Sequence, residues 1–154
     1  GHTLNNIGAI QSELGAFPKA IQALSQALRS GHESNDRRLL AYNQLFTAIH
    51  HRLSGVYTDA SDALDEAERS FASIEASSEL VRCLCERGFL ALAHHNDANA
   101  FLEQANQLYP SALPKTSLLG RILIQLQHAI DARDEGSLLV HGQCPNDLPF
   151  TKKT

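Results

Sequence analysis

Tryptophan and methionine are absent from this chain, and aromatic residues make up only 6% of it. A core cannot then be built from large rings. It falls to alanine and leucine, both good helix formers, whose small or flexible side chains let helices approach closely. Cysteine is scarce and odd in number, at positions 83, 85 and 144. That argues against a disulfide framework and makes the cytoplasm the expected compartment. Charge of one sign is also missing as a block. Thirteen basic against seventeen acidic residues give a net charge of −4. No basic stripe suited to nucleic acid appears, nor a basic amphipathic helix suited to an anionic membrane. No apolar run approaches the ~20 residues of a membrane span, and the start shows no signal-peptide pattern.

What is present is 43% hydrophobic residues over 154, enough for one globular domain. Leu4, Ile7, Ile10 and Leu14 form a helical stripe that Gly15 stops, and Pro18 suits the first turn of a second helix. That helix carries Ala20, Ile21, Leu24, Ala27 and Leu28 and is expected to end at Ser30-Gly31-His32. Asn35 or Asp36 is placed to cap a third helix through Tyr42, Phe46, Ile49 and Leu53, broken at Ser54-Gly55. A fourth helix holds Ala60, Leu64, Ala67 and Phe71, and a fifth runs from Ser77-Ser78 through Leu92. After a break at Asn96-Asp97, a sixth holds Ala98, Leu102 and Ala105. A seventh is expected from Pro114 to Ala132. From Arg133 to Thr154 the helical period is lost, with Gly136, Gly142, Pro145 and Pro149. This segment is either a disordered tail or an arm that packs back on the domain or a neighbour.

The strongest signal is internal similarity near 40 residues. Gly8, Gly15, Phe17, Ala20, Leu24 and Ala27 recur as Ala48, Gly55, Tyr57, Ala60, Leu64 and Ala67. The pattern resembles the tetratricopeptide repeat family, in which a small residue, a turn glycine, an aromatic and two alanines mark a helix-turn-helix unit. The first unit matches almost position for position. The second fits better with one residue inserted at Ser54-Gly55. In the third, Cys83 to Ala93 matches a first helix with Gly88 in the small position, and the second helix fits if the turn is about two residues short.

The resemblance implies an all-α, right-handed superhelical solenoid over residues 1–132. Its units would be about 2–30, 36–73 and 77–109, capped by 114–132, with 133–154 as an irregular tail. It further implies an inner wall that binds a protein or peptide partner. The wall residues would be Asn5, Asn6, Ala9 and Ser12 from the first unit, Gln44, Ala48, His51 and Arg52 from the second, and Arg82, Glu86 and Phe89 from the third. One subtype of the family grips a peptide carboxylate with lysines and asparagines. Asn5 or Asn6 could join such a clamp, but the required lysines are missing, and Arg52 and Arg82 are the available substitutes.

No catalytic machinery is visible, so no enzyme activity and no cofactor are expected. The adjacent pairs His50-His51 and His94-His95 point in different directions on a helix, so neither chelates one ion alone. Neither a zincin motif nor a phosphate-cradling loop occurs. Cys83 and Cys85 read as small buried residues, and Asp59, Asp62, Asp65, Glu66 and Glu68 as a solvated acidic face. The resulting expectation is a peptide-binding scaffold module. The abrupt helical start at Leu4 suggests a piece of a larger bacterial signalling or regulatory protein, with Gly1-His2 a cloning remnant. The alternative is a self-association module, motivated by Ile124 and the Leu138-Leu139-Val140 island. A metal-binding or thiol role ranks behind both.

Overall fold

A computed structural model describes residues 1–140, with side chains to Gly136. All of its regular structure is helical: α1 His2–Glu13, α2 Phe17–Ser34, α3 Arg37–Leu53, α4 Tyr57–Ser73, α5 Ser77–Ala93, α6 Asn99–Leu108 and α7 Leu118–Val140. Helices pack most closely within the pairs α1/α2, α3/α4 and α5/α6, and each pair packs on the next.

The repeat is written in the backbone more regularly than in the residues. Left-handed φ values fall at Gly15, Asn35, Gly55, Glu75 and His95, one every twenty residues. Each reverses the chain between two helices. The turn amides repeat too: Ala16 N–H donates to Gln11 O, Val56 N–H to His51 O and Asn96 N–H to Ala91 O, each at 2.8 Å. These bonds take up helix-end carbonyls that would otherwise lack partners. The Ser54-Gly55 turn thus corresponds residue for residue to Leu14-Gly15, and the expected insertion there does not exist.

The third unit keeps the same turn at His95. It loses helix instead: α6 begins only at Asn99, with Asp97 accepting the Asn99 amide at 2.9 Å. Its buried set Ala98, Leu102 and Ala105 comes two residues early relative to Ala60, Leu64 and Ala67.

Two expected boundaries are corrected. The second helix does not end at Ser30-Gly31-His32 but continues to Ser34. Gly31 is there for packing: a Cβ on it would stand 2.7 Å from Leu40 of α3. The Asn35 turn follows, and Asp36 caps α3 by accepting the Leu39 amide at 2.9 Å. The last helix starts at Leu118, not Pro114, and continues through Arg133 and Gly136 to Val140. Arg133 holds it by donating to the carbonyls of His95 and Asn96 in the turn after α5. The helix therefore includes the backbone of the Leu138-Leu139-Val140 island, and residues 141–154 lie outside the described residues.

The core has two parts. One gathers Leu45, Phe46, Leu64 and Phe71 around α3 and α4, with Ala41, Ala60 and Ala67 fully buried where helices cross. The other gathers Val81, Cys85, Leu102 and Leu126 among α5, α6 and α7. In it α7 leans on α5: Leu126 fits over Gly88, whose missing side chain makes the room.

Candidate functional site

The residues expected on an inner wall divide into three groups. Asn5, Ser12 and Ala48 are buried, so none of them forms an open face. The Asn5 amide donates to Leu39 O at 3.2 Å and accepts from the Asn43 amide at 2.9 Å, and Asn43 donates in turn to Leu24 O at 2.8 Å. This buried network ties α1, α2 and α3 together. The Ser12 hydroxyl donates to Gly8 O at 2.8 Å and lies 3.0 Å from His50 Nδ1. Its one proton is committed to Gly8, so the His50 Nδ1–H donates to Ser12. Burial then pulls the His50 pKa below its ordinary value, with the neighbouring His51 adding to the effect.

The second group is scattered. Asn6 is exposed and Ala9 packs against the first core. Gln44 turns towards α4, accepting from Ser70 at 2.7 Å and meeting Glu66 at 3.4 Å. His51 is half-buried beside the His50 ring.

The third group converges. Arg52, Arg82, Glu86 and Phe89 line a cavity of about 210 Å³ between α3, α5 and α7, together with Glu13, Ile49, Ile122 and Gln125. Arg82 and Ile122 also line a neighbouring cavity of about 290 Å³, walled by Tyr42, Glu79, Ser117 and the leucines 113, 118 and 119. These two residues thus mark the boundary between two hollows of one groove. Sequence reading missed the α7 wall because it placed that helix at the end of the array. It also missed Tyr42 and Glu79, although Glu79 lies one turn before Arg82 on the same helix.

The groove's charges are unevenly partnered. Arg52 pairs with buried Glu86 at 2.9 Å, and its guanidinium lies over the Phe89 ring at 5.2 Å. Glu79 accepts from Arg38 and from the Tyr42 hydroxyl, both at 2.6 Å. The phenol pKa rises through burial first and then through Glu79. Arg82 lies over Phe46 at 5.3 Å, and its buried Nε has no hydrogen-bond partner. Among the described residues the arginine–carboxylate pairs use Arg38, Arg52 and Arg87, leaving Arg82 without one. The groove therefore presents one arginine without a carboxylate pair against aliphatic walls, with unpaired Glu13 on the lining of the smaller hollow. That suits an anionic group carried on an apolar body.

Outside the groove, Cys83 and Cys85 are fully buried. Burial is the main cause that pushes each thiol up to about 12, so neither is a nucleophile at neutral pH. Among the described residues no group of three His, Cys, Asp or Glu side chains is placed to hold a metal ion, and no helix is long and apolar enough to cross a membrane. Set against family models, curated proteins and solved structures, the chain matches none of them.

Proposed function

We propose that this chain is a tetratricopeptide-like binding module, and that its ligand is an extended peptide segment lying in the groove between α3, α5 and α7. The observation that carries this reading is Arg82. A half-buried guanidinium packed on a ring with no carboxylate beside it favours a charged acceptor, and a ligand carboxylate meeting the accessible part of the group would supply one. A hydrogen bond to a charged group contributes about 1.5–3 kcal/mol. The aliphatic residues at positions 113, 118, 119 and 122 suit apolar side chains flanking the acidic group. Arg52 serves the groove differently, because Glu86 already neutralises it. Its role is to hold α3 to α5 and keep the walls apart at a fixed distance.

Random-peptide display tests the reading. Panning against the whole chain should enrich peptides with an Asp, a Glu or a terminal carboxylate next to aliphatic residues. The same panning against Arg82→Glu should lose that enrichment. No enrichment, or one that survives Arg82→Glu, would contradict it.

A further inference from the structure

Arg82 shares its own helix with two carboxylates that stand within reach of it. Glu79 lies three residues before it on α5 and Glu86 four residues after it, the spacings at which side chains on a helix meet. Glu79 lines the larger hollow with Arg82, and Glu86 lines the smaller one with it. Neither pairs with Arg82, because both are engaged by α3. Near the start of α3, Arg38 donates to Glu79 Oε1 at 2.6 Å, and the Tyr42 hydroxyl donates to the same oxygen at 2.6 Å. Near its end, Arg52 donates to Glu86 Oε2 at 2.9 Å. Each of these arginines is itself seated on a ring, Arg38 over Tyr42 at 5.8 Å and Arg52 over Phe89 at 5.2 Å. Glu13, the third carboxylate of the groove, is exposed at the end of α1.

We propose that Arg38, Tyr42 and Arg52 are positioning residues, which draw Glu79 and Glu86 away from Arg82 and so keep its guanidinium available for a carboxylate brought by a ligand. This rests on Arg82 being the anchor of the groove's ligand, and it adds how the chain's own acids are kept from filling that place. The matter is one of competition. A carboxylate tethered one turn away meets Arg82 without any loss of translational freedom, so a loose Glu79 would compete with every incoming ligand. Two donors on one oxygen, one of them charged, hold it instead. Glu86 is the more buried of the two, its side chain 7% exposed, and Arg52 supplies the charge it needs there. Glu79 is therefore the carboxylate that a substitution can release without stranding a buried charge. Its partner Arg38 is 54% exposed, and removing that side chain opens no hole in the interior.

Arg38→Ala combined with Tyr42→Phe tests this, since Phe keeps the ring that packs on Phe46 and Phe71. An unchanged helical circular dichroism spectrum confirms the fold of the variant. In the chain without ligand, the nitrogen-15 NMR resonance of the Arg82 Nε–H should move in this double variant and return towards its wild-type position when Glu79→Gln is added. A resonance that does not respond to the release of Glu79, or that stays displaced with Glu79→Gln, would overturn the proposal. The second arm measures affinity for a display-selected acidic peptide. The double variant should bind it about two- to fivefold more weakly, the scale of an exposed ion pair. Glu79→Gln should restore that loss while changing the affinity of the wild-type chain little. An equal gain from Glu79→Gln in both backgrounds would overturn the proposal, because the groove would then sense net charge and not a released carboxylate. Peptide binding that ignores Arg82→Glu would overturn Arg82 as the anchor instead, and the resonance without ligand still decides whether α3 holds Glu79 from it.

Discussion

Leu126 of α7 occupies the space of a side chain that Gly88 of α5 does not have: a Cβ there would stand 2.7 Å from Leu126 Cδ2. Leu126 is itself fully buried and has little room to turn away. Replacing Gly88 by Ala gains about 1 kcal/mol of helix propensity. Gly88→Val forfeits most of that gain through its branched Cβ and overpacks the contact, at a cost of about 1–3 kcal/mol. The variant should lower the midpoint of chemical unfolding, whereas Gly136→Ala, where nothing lies within 4 Å, should raise it. Equal effects at the two glycines would show that α7 does not rest on α5 in this way.

Asn5 is a structural residue in this account. Asn5→Leu leaves one Asn43 amide donor without its partner in the interior, while Leu39 O keeps its place in the α3 ladder and loses a second bond. The orphaned donor costs about 1–3 kcal/mol. The change should therefore destabilise strongly, and Asn5→Leu with Asn43→Leu should cost less than the sum of the two singles. Urea unfolding of the four chains of that cycle measures the coupling. Full additivity would contradict the shared network.

His50 gives stability a pH dependence of known sign. Its folded pKa lies below the ordinary value of about 6.5, so the unfolded chain binds more protons as pH falls through that value. The contribution is fully present above the unfolded pKa and is lost towards the folded pKa. Stability should fall from pH 7.5 to 5, and part of that fall should vanish in His50→Gln. Thermal melts of both chains across that range check it, and an identical pH dependence in the two would refute it.

Glu75 turns the chain with φ +55, a conformation that costs a residue with a Cβ about 1–2 kcal/mol. Glu75→Gly should therefore stabilise by up to about 1 kcal/mol, while Gly55→Ala, at φ +82, should destabilise by a similar amount. Calorimetric melting of both variants measures the opposite signs.

These residues also show what the sequence made legible. The helices and the Gly15 and Gly55 turns follow from local chemistry and were readable, and the cap of α3 was narrowed to Asn35 or Asp36, of which Asp36 serves. The turns at Glu75 and His95 carry no glycine, so their place in the twenty-residue rhythm appeared only in the backbone. Gly31 and Gly136 were read as breaks because glycine is a weak helix former. Contacts outside the local sequence, Leu40 for the first and the Arg133 anchor near the second, override that weakness. At the groove, Arg82, Glu86 and Phe89 lie on neighbouring turns of α5 and Arg52 on α3, and it was the resemblance to a repeat family that put them on one expected wall. The α7 wall was hidden because no local pattern says which face of α5 a later helix will cross. Asn5 and Ser12 were misplaced for a related reason. A polar residue beside an apolar stripe looks solvated until its buried partners, Leu39 O and His50, are known.

The most direct test of the groove is the Arg82 side chain itself. Nitrogen-15 NMR follows its Nε–H resonance while a display-selected peptide is added, then while the same peptide is added with its acidic residue changed to the amide. The account predicts a saturating shift of the Arg82 Nε–H with the acidic peptide and little or none with the amide. Binding that moves resonances elsewhere while Arg82 stays still, or an equal response to both peptides, would contradict it.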